Sequence, residues 1–241
     1  MFMSRFLFNR VIMAAICIIC IYIYQLPVLS ADIREEQGVK SIRLKTSAYT
    51  IFDDKMLLNG YKEKYMELDK DTLLAMIKDD TLSPYKIAAA VMAFNERFGS
   101  EVVYPEKRIV EKIFIRRLNR SASPFVQVAI MYSLCCLDRY RYFKVMVPAL
   151  IRKLDHYNAA VNDLAFEDLC ALLYTKKVRT REARIVFNTL RKMMFLSRKR
   201  LAFIKEPDSK LRKKLELLRW AVKALGSQEL KRLPKEMIHL I

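Results

Sequence analysis

Four glycines in 241 residues leave few positions for the positive-φ turns that join strands into hairpins. The same scarcity excludes the glycine-rich phosphate loops of nucleotide-binding proteins. Histidine is nearly as rare. His156 falls in a turn and His239 lies close to the C-terminal end. A nucleophile–base pair needs a base oriented by a third group, and no residue pattern marks either imidazole for that role. Cysteine is sparse outside the first twenty residues: Cys135, Cys136 and Cys170, with no Cys-x-x-Cys pair among them. Neighbours on a helix point about 100° apart, so Cys135 and Cys136 do not share a partner. These thiols read as small apolar fillers, and a disulfide from Cys170 to one of the pair stays open. The paired carboxylates Asp53-Asp54 and Asp79-Asp80 stand beside turns, where Asp forms or caps the turn. No metal, no cofactor and no catalytic residue is expected, and the chain reads as not an enzyme.

Acid is short as well. Lys and Arg number 44 against 26 Asp and Glu, for a net charge of +18. Much of the excess is local: residues 176 to 241 hold 20 basic and 6 acidic side chains. Such a field attracts anions of any kind.

What is abundant is Leu, Ile, Ala, Met, Lys and Arg, mostly good helix formers, so the expected class is all-α. At the start, Arg5 and Arg10 precede an uncharged apolar run from Val11 to Leu29, and the first acid is Asp32. This is the order of a secretory signal, with Ser30 and Ala31 as small residues at a cut. The run is also long enough to span roughly 30 Å of hydrocarbon as an anchor. Either way the body faces away from the cytoplasm. The expected domains are a signal peptide or anchor at 1–31, a linker or loosely ordered arm at 32–69, and a helical body at 70–241 with a basic part at 176–241. Within the arm, Asp54 to Leu68 has helical character.

From Asp69 onward the pattern is helix after helix. Asp69 or Asp71 caps the first, which runs to Lys78. Ser83-Pro84 starts the next, with Ser83 as cap and Pro84 in the first helical position, and Gly99 ends it. Further helices are expected at Glu106–Leu118, Val126–Leu137, Tyr142–Leu154, Ala160–Tyr174, Thr180–Ile204 and Asp208–Leu225, with a short tail after Gln228. Ser123-Pro124 repeats the Ser83-Pro84 start 40 residues later. Each start follows one amphipathic helix and opens an Ala- and Met-rich one. A third unit runs from Val147 to Leu169, and a degenerate fourth is expected from Leu201–Ile204 into Leu211–Leu225.

A period near 40 with two helices per unit is the signature of stacked helical hairpins. On the segments LIRKLDHYNAAVNDLAFEDLCALL (Leu150 to Leu173) and KLRKKLELLRWAVKALG, the chain resembles the HEAT-repeat family and, more loosely, armadillo-type arrays, over about residues 70 to 226. Pro148 and Arg212 match that family's Pro and Arg; the Arg is missing from the other units. The resemblance implies a short α-solenoid that binds other molecules. The alternative is an irregular helical bundle.

The candidate binding residues are the basic ones of the last quarter. Lys176, Lys177, Arg179, Arg181 and Arg184 begin the stretch. Arg191, Lys192, Arg198, Lys199 and Arg200 extend it along one long helix, and Lys210, Arg212, Lys213 and Lys214 open the next. The expected function is a non-catalytic, exported or membrane-tethered scaffold presenting this surface to another protein, an anionic lipid head group or an envelope polymer. Nucleic acid, bound by a HEAT-like array whose apparent signal is no signal, is the alternative, and a translocated body disfavours it.

Overall fold

The structure, a computed structural model, describes residues 53–174, 179–201, 203, 204 and 206–241. The signal or anchor read at residues 1–31, most of the 32–69 arm, and Lys176 and Lys177 lie outside the described residues. Residues 51–241 form one compact unit, and among its described residues all regular structure is helical.

The helices are α1 (Asp53–Tyr65), α2 (Lys70–Lys78), α3 (Pro84–Phe98), α4 (Glu106–Arg120), α5 (Pro124–Leu137), α6 (Arg139–Lys153), α7 (Ala159–Leu173), α8 (Thr180–Leu196), α9 (Arg198–Leu201) and α10 (Ser209–Leu225). Two 3-10 segments, Ser227–Arg232 and Lys235–Leu240, close the chain. Consecutive helices pair as α2/α3, α4/α5, α6/α7 and α8/α10. The first members form one row, in which α2 packs on α4 and α6 on α8; the second members form the other, with α3 on α5, α5 on α7 and α7 on α10.

Local chemistry sets the helix starts. Asp69, Asp138, Asn158 and Asp208 accept from backbone N–H groups in the first turn of α2, α6, α7 and α10. Ser83 and Ser123 stand at the N-cap positions with extended backbone, but neither hydroxyl makes a capping bond. There the following proline, with its φ already fixed, sets the start. Gly226 ends α10 at φ 106°, a region that side chains with a Cβ rarely enter.

The core follows the apolar periods. Ile87, Val91 and Phe94 of α3 and Val110 and Phe114 of α4 are fully buried, and Phe94 and Phe114 pack edge to face with centroids 5.6 Å apart. α5 is buried on nearly every side, including Phe125, Val126, Val128, Ala129, Ile130, Met131, Leu134 and Cys135. Polar pairs tie neighbouring hairpins together. On α6, Arg141 donates to buried Glu111 of α4 at 2.9 Å, while Arg139 reaches forward to Glu182 of α8 through two bonds of 2.8 and 2.6 Å. Glu111 and Glu182 are only 4% and 7% exposed, so each depends on its arginine for compensation.

Three expectations change. The arm's helix, α1, is part of the packing: it lies on α3. Asp54 accepts from Tyr85 Oη and Asn158 Nδ2, each at 2.7 Å, and Lys55 pairs with Glu167 of α7. α1 thus straddles the second row from α3 to α7. The helix expected over Thr180–Ile204 stops at Leu196, because Ser197 takes φ −99°, ψ 4°. The break re-aims α9 so that Leu201 is buried against the Lys235–Leu240 segment. The fourth hairpin therefore pairs α10 with α8 rather than with Leu201–Ile204. A four-residue α9 is too short to cover Leu211, Leu215, Leu218 and Ala221.

Replacing Glu182 by Ala leaves Arg139 without its partner and lowers unfolding free energy by about 2 kcal/mol in urea titration. The double change Arg139→Met with Glu182→Leu recovers most of that loss. Lys55→Ala, at a solvent-exposed pair, shifts stability by no more than about 0.5 kcal/mol.

Candidate functional site

The basic residues are displayed by the last hairpin. Along α8 the buried residues Ala183, Val186, Phe187, Leu190 and Met194 form one apolar stripe. Residues off that stripe point outward, and most of the cations fall there. The structure divides them into two groups.

The first group is tied into the fold. Arg184 pairs with Glu229, which anchors the first 3-10 segment and whose carboxyl sits below its ordinary pKa chiefly because Arg184 donates to it. Lys213 pairs with Asp163 and donates to the buried Asn162 of α7; Lys214 pairs with Asp155 at the α6–α7 turn. Arg179 lies 3.7 Å from Glu182. Arg212 donates to the Pro207 carbonyl at 2.8 Å. Arg184, Lys213 and Lys214 join α8 and α10 to neighbouring elements, while Arg179 and Arg212 are held at the starts of their own helices, and a ligand would have to compete with all of these contacts.

The second group has no acidic partner among the described residues: Arg181, Arg191, Lys192, Arg198, Lys199, Arg200 and Lys210. Arg181 stacks over Tyr140, 5.6 Å from the ring centroid, and Arg198 over Phe195 at 4.3 Å. Arg191 and Lys192 border a groove of about 620 Å³ with Asn188, Phe195, Leu196 and Arg232. Arg200 and Lys210 border a second recess of about 410 Å³ with Met193, Met194 and the Asp155–Lys214 pair.

Sequence reasoning missed two features. Phe195, Leu196 and Phe203 are 52%, 80% and 87% exposed at the α8–α10 connection. The signal was present: Leu190 and Met194 hold the core stripe, so adjacent Phe195 and Leu196 cannot both join it. A second basic cluster, Lys78, Arg116, Arg117 and Arg120, surrounds Asp80 at the C-terminal ends of α2 and α4. Arg117 and Arg120 both pair with Asp80. Cations there complement the negative ends of the two helices, so the cluster is accounted for by the fold.

The described thiols are free. Burial raises Cys135 to about 12 and Cys170 to about 11, which keeps both protonated and poorly nucleophilic. His156 stacks on Tyr157 and its Nδ1 accepts from the Asn158 N–H at 3.1 Å. Burial lowers its pKa, helped by Lys153 and Lys210. Among the described residues no group of three His, Cys, Asp or Glu side chains is placed to hold a metal ion. No described helix is long and apolar enough to cross a membrane.

One polar cluster crosses the second row: half-buried Asn95 of α3, half-buried Tyr132 and exposed Cys136 of α5, and half-buried Asp168 of α7. Cys136 accepts hydrogen bonds from Tyr132 and Asn95, while Asn95 Oδ1 and Asp168 Oδ2 are buried without a partner. Burial pushes the Asp168 carboxyl well above 3.8, with Glu167 adding to the rise and Lys62 opposing it.

Compared with known protein families, curated proteins and solved structures, the chain matches none.

Asp168 yields a test of its own. An acid whose folded pKa is raised favours the folded state most when protonated, and that contribution fades as pH climbs from its unfolded value through its folded one. Asp168→Asn therefore melts at nearly the wild-type temperature near about pH 4 and at a higher temperature near about pH 7. Thermal unfolding followed by circular dichroism at the two pH values checks the sign.

Proposed function

We propose that this chain is a non-catalytic binding protein: a short HEAT-like helical solenoid, carried outside the cytoplasm or held at a membrane by its N-terminal segment, that presents the basic face of its last hairpin to an anionic partner. One observation carries the reading. Basic side chains outnumber acids 20 to 6 over residues 176 to 241, whereas elsewhere in the body cations such as Lys62, Lys70, Arg117, Arg139 and Arg141 are matched by acids and others such as Lys86, Lys112 and Arg152 stand among a more even balance of charge. At the last hairpin that surplus leaves Arg191, Lys192, Lys199, Arg200 and Lys210 gathered together with no acidic partner among the described residues.

Unpaired cations of one sign gathered in one place repel one another and weaken the compact state. A polyanion, a lipid head-group layer or an acidic protein face relieves that repulsion and releases counterions. The paired rows of helices support a solenoid over an irregular bundle, since each hairpin covers its apolar faces with the next. The apolar run ahead of Asp32 supports delivery out of the cytoplasm.

The test is retention on a sulfated-polysaccharide resin. The wild-type chain is retained, and Lys192→Glu/Lys199→Glu/Arg200→Glu elutes earlier by roughly 0.1 M salt or more, with unchanged circular dichroism. Equal elution contradicts the basic-face reading. Delivery is tested separately by the N-terminal residue of the protein isolated from its own cells. A start near Asp32, or an intact Met1 in the membrane fraction, agrees with it. An intact Met1 in freely soluble cytoplasmic material contradicts it.

A further inference from the structure

The α8–α10 connection carries more than charge. Phe195 and Leu196 sit at the end of α8, where Arg191, Lys192 and Arg232 share their groove and the Arg198 guanidinium lies over the Phe195 ring. No acidic side chain lines that groove. Leu196 and, seven residues on, Phe203 are the most outward-facing large apolar side chains of the connection, at 80% and 87% exposed. Water-facing Leu and Phe beside unmatched cations are an unfavourable surface for a protein that meets only water.

We infer that this tip docks on the surface of an anionic phospholipid bilayer, with Phe195 and Leu196 entering the head-group boundary and the surrounding cations held at the phosphates. The inference rests on the basic-face reading above and names its partner. Two observations favour a bilayer over an acidic peptide. Phe195 and Leu196 border an open groove and remain largely exposed, so their partner must be soft enough to surround them. The charges that share the groove with Phe195 and Leu196 are all basic, which is the arrangement an anionic interface with an apolar layer beneath it complements. Arg and Lys reach that interface with extended stems, keeping the charge among the head groups while the methylenes follow the apolar side chains down.

The experiment is co-sedimentation of the full chain with vesicles of equal parts phosphatidylglycerol and phosphatidylcholine, against pure phosphatidylcholine. Three proteins are compared: wild type, the charge variant Lys192→Glu/Lys199→Glu/Arg200→Glu, and the apolar variant Phe195→Ser/Leu196→Ser, which leaves every charge in place. Circular dichroism confirms that each is folded. The wild type partitions onto the acidic vesicles only. The charge variant loses about 100-fold or more in partitioning, and the apolar variant loses about 10-fold or more while keeping wild-type retention on the polysaccharide resin. A Phe203→Trp reporter shifts its emission to shorter wavelength with acidic vesicles, beyond any change that Trp220 alone gives in wild type. Wild-type retention on the resin with no partitioning onto acidic vesicles overturns the inference and leaves the basic-face reading standing. So does an apolar variant that partitions like wild type. Failure on both resin and vesicles overturns both.

Discussion

α5 is the constraint on which the rest of the body depends. Its fourteen residues, Pro124–Leu137, include no sustained polar stripe, and nine of its apolar side chains are buried. A helix of that kind must be covered all round, and no single hairpin partner can do it. α4 covers it from its own hairpin, α3 and α7 flank it in its row, and α6 packs across from the other row. The order of the hairpins along the chain is thereby the order in space. The T-shaped Phe94–Phe114 contact, the Tyr85–Phe125 contact and the Val147, Leu150 and Ile151 face of α6 close the seams.

Charge acts on a frame already set by burial. Glu111 and Glu182 enter the core of the first row because α6 offers Arg141 and Arg139 to receive them, one facing back and one forward. Such pairs specify register more than they add stability. The same economy leaves the last hairpin different from the rest: part of its basic surplus is used to hold α10 to α7 and to the α6–α7 turn through Lys213 and Lys214, and the remainder faces water.

The sequence was most informative where one helix face decided the outcome. The two Ser-Pro starts, the Asp69 or Asp71 cap and the apolar periods located α2 through α7 and α10 to within a few residues. Reading failed where the deciding partner lies far along the chain. Nothing near Asp54 announces Tyr85 and Asn158, which draw α1 onto the body. Ser197 is one weak helix former in an apparently unbroken period, and past it Leu201 is buried against the last segment of the chain, far along the sequence. The candidate surface was legible as a stretch and not as a site. Composition cannot say that Arg184, Lys213 and Lys214 have partners 45 to 59 residues away, while Lys192 and Lys199 have none among the described residues.

The functional reading inherits this structure. Because the body is held by burial at its centre, its last hairpin is free to carry side chains that the core does not use: unmatched cations, and Phe and Leu turned to solvent. That division between a covered centre and an uncovered end is the account's central claim, and native-state hydrogen exchange measures it most directly. The account predicts that α5 amides are the slowest to exchange, opening only with global unfolding, while α9 and the two 3-10 segments exchange far faster through local opening. Protection in α9 and the 3-10 segments equal to that of α5, or α5 amides that exchange through local opening, would contradict it.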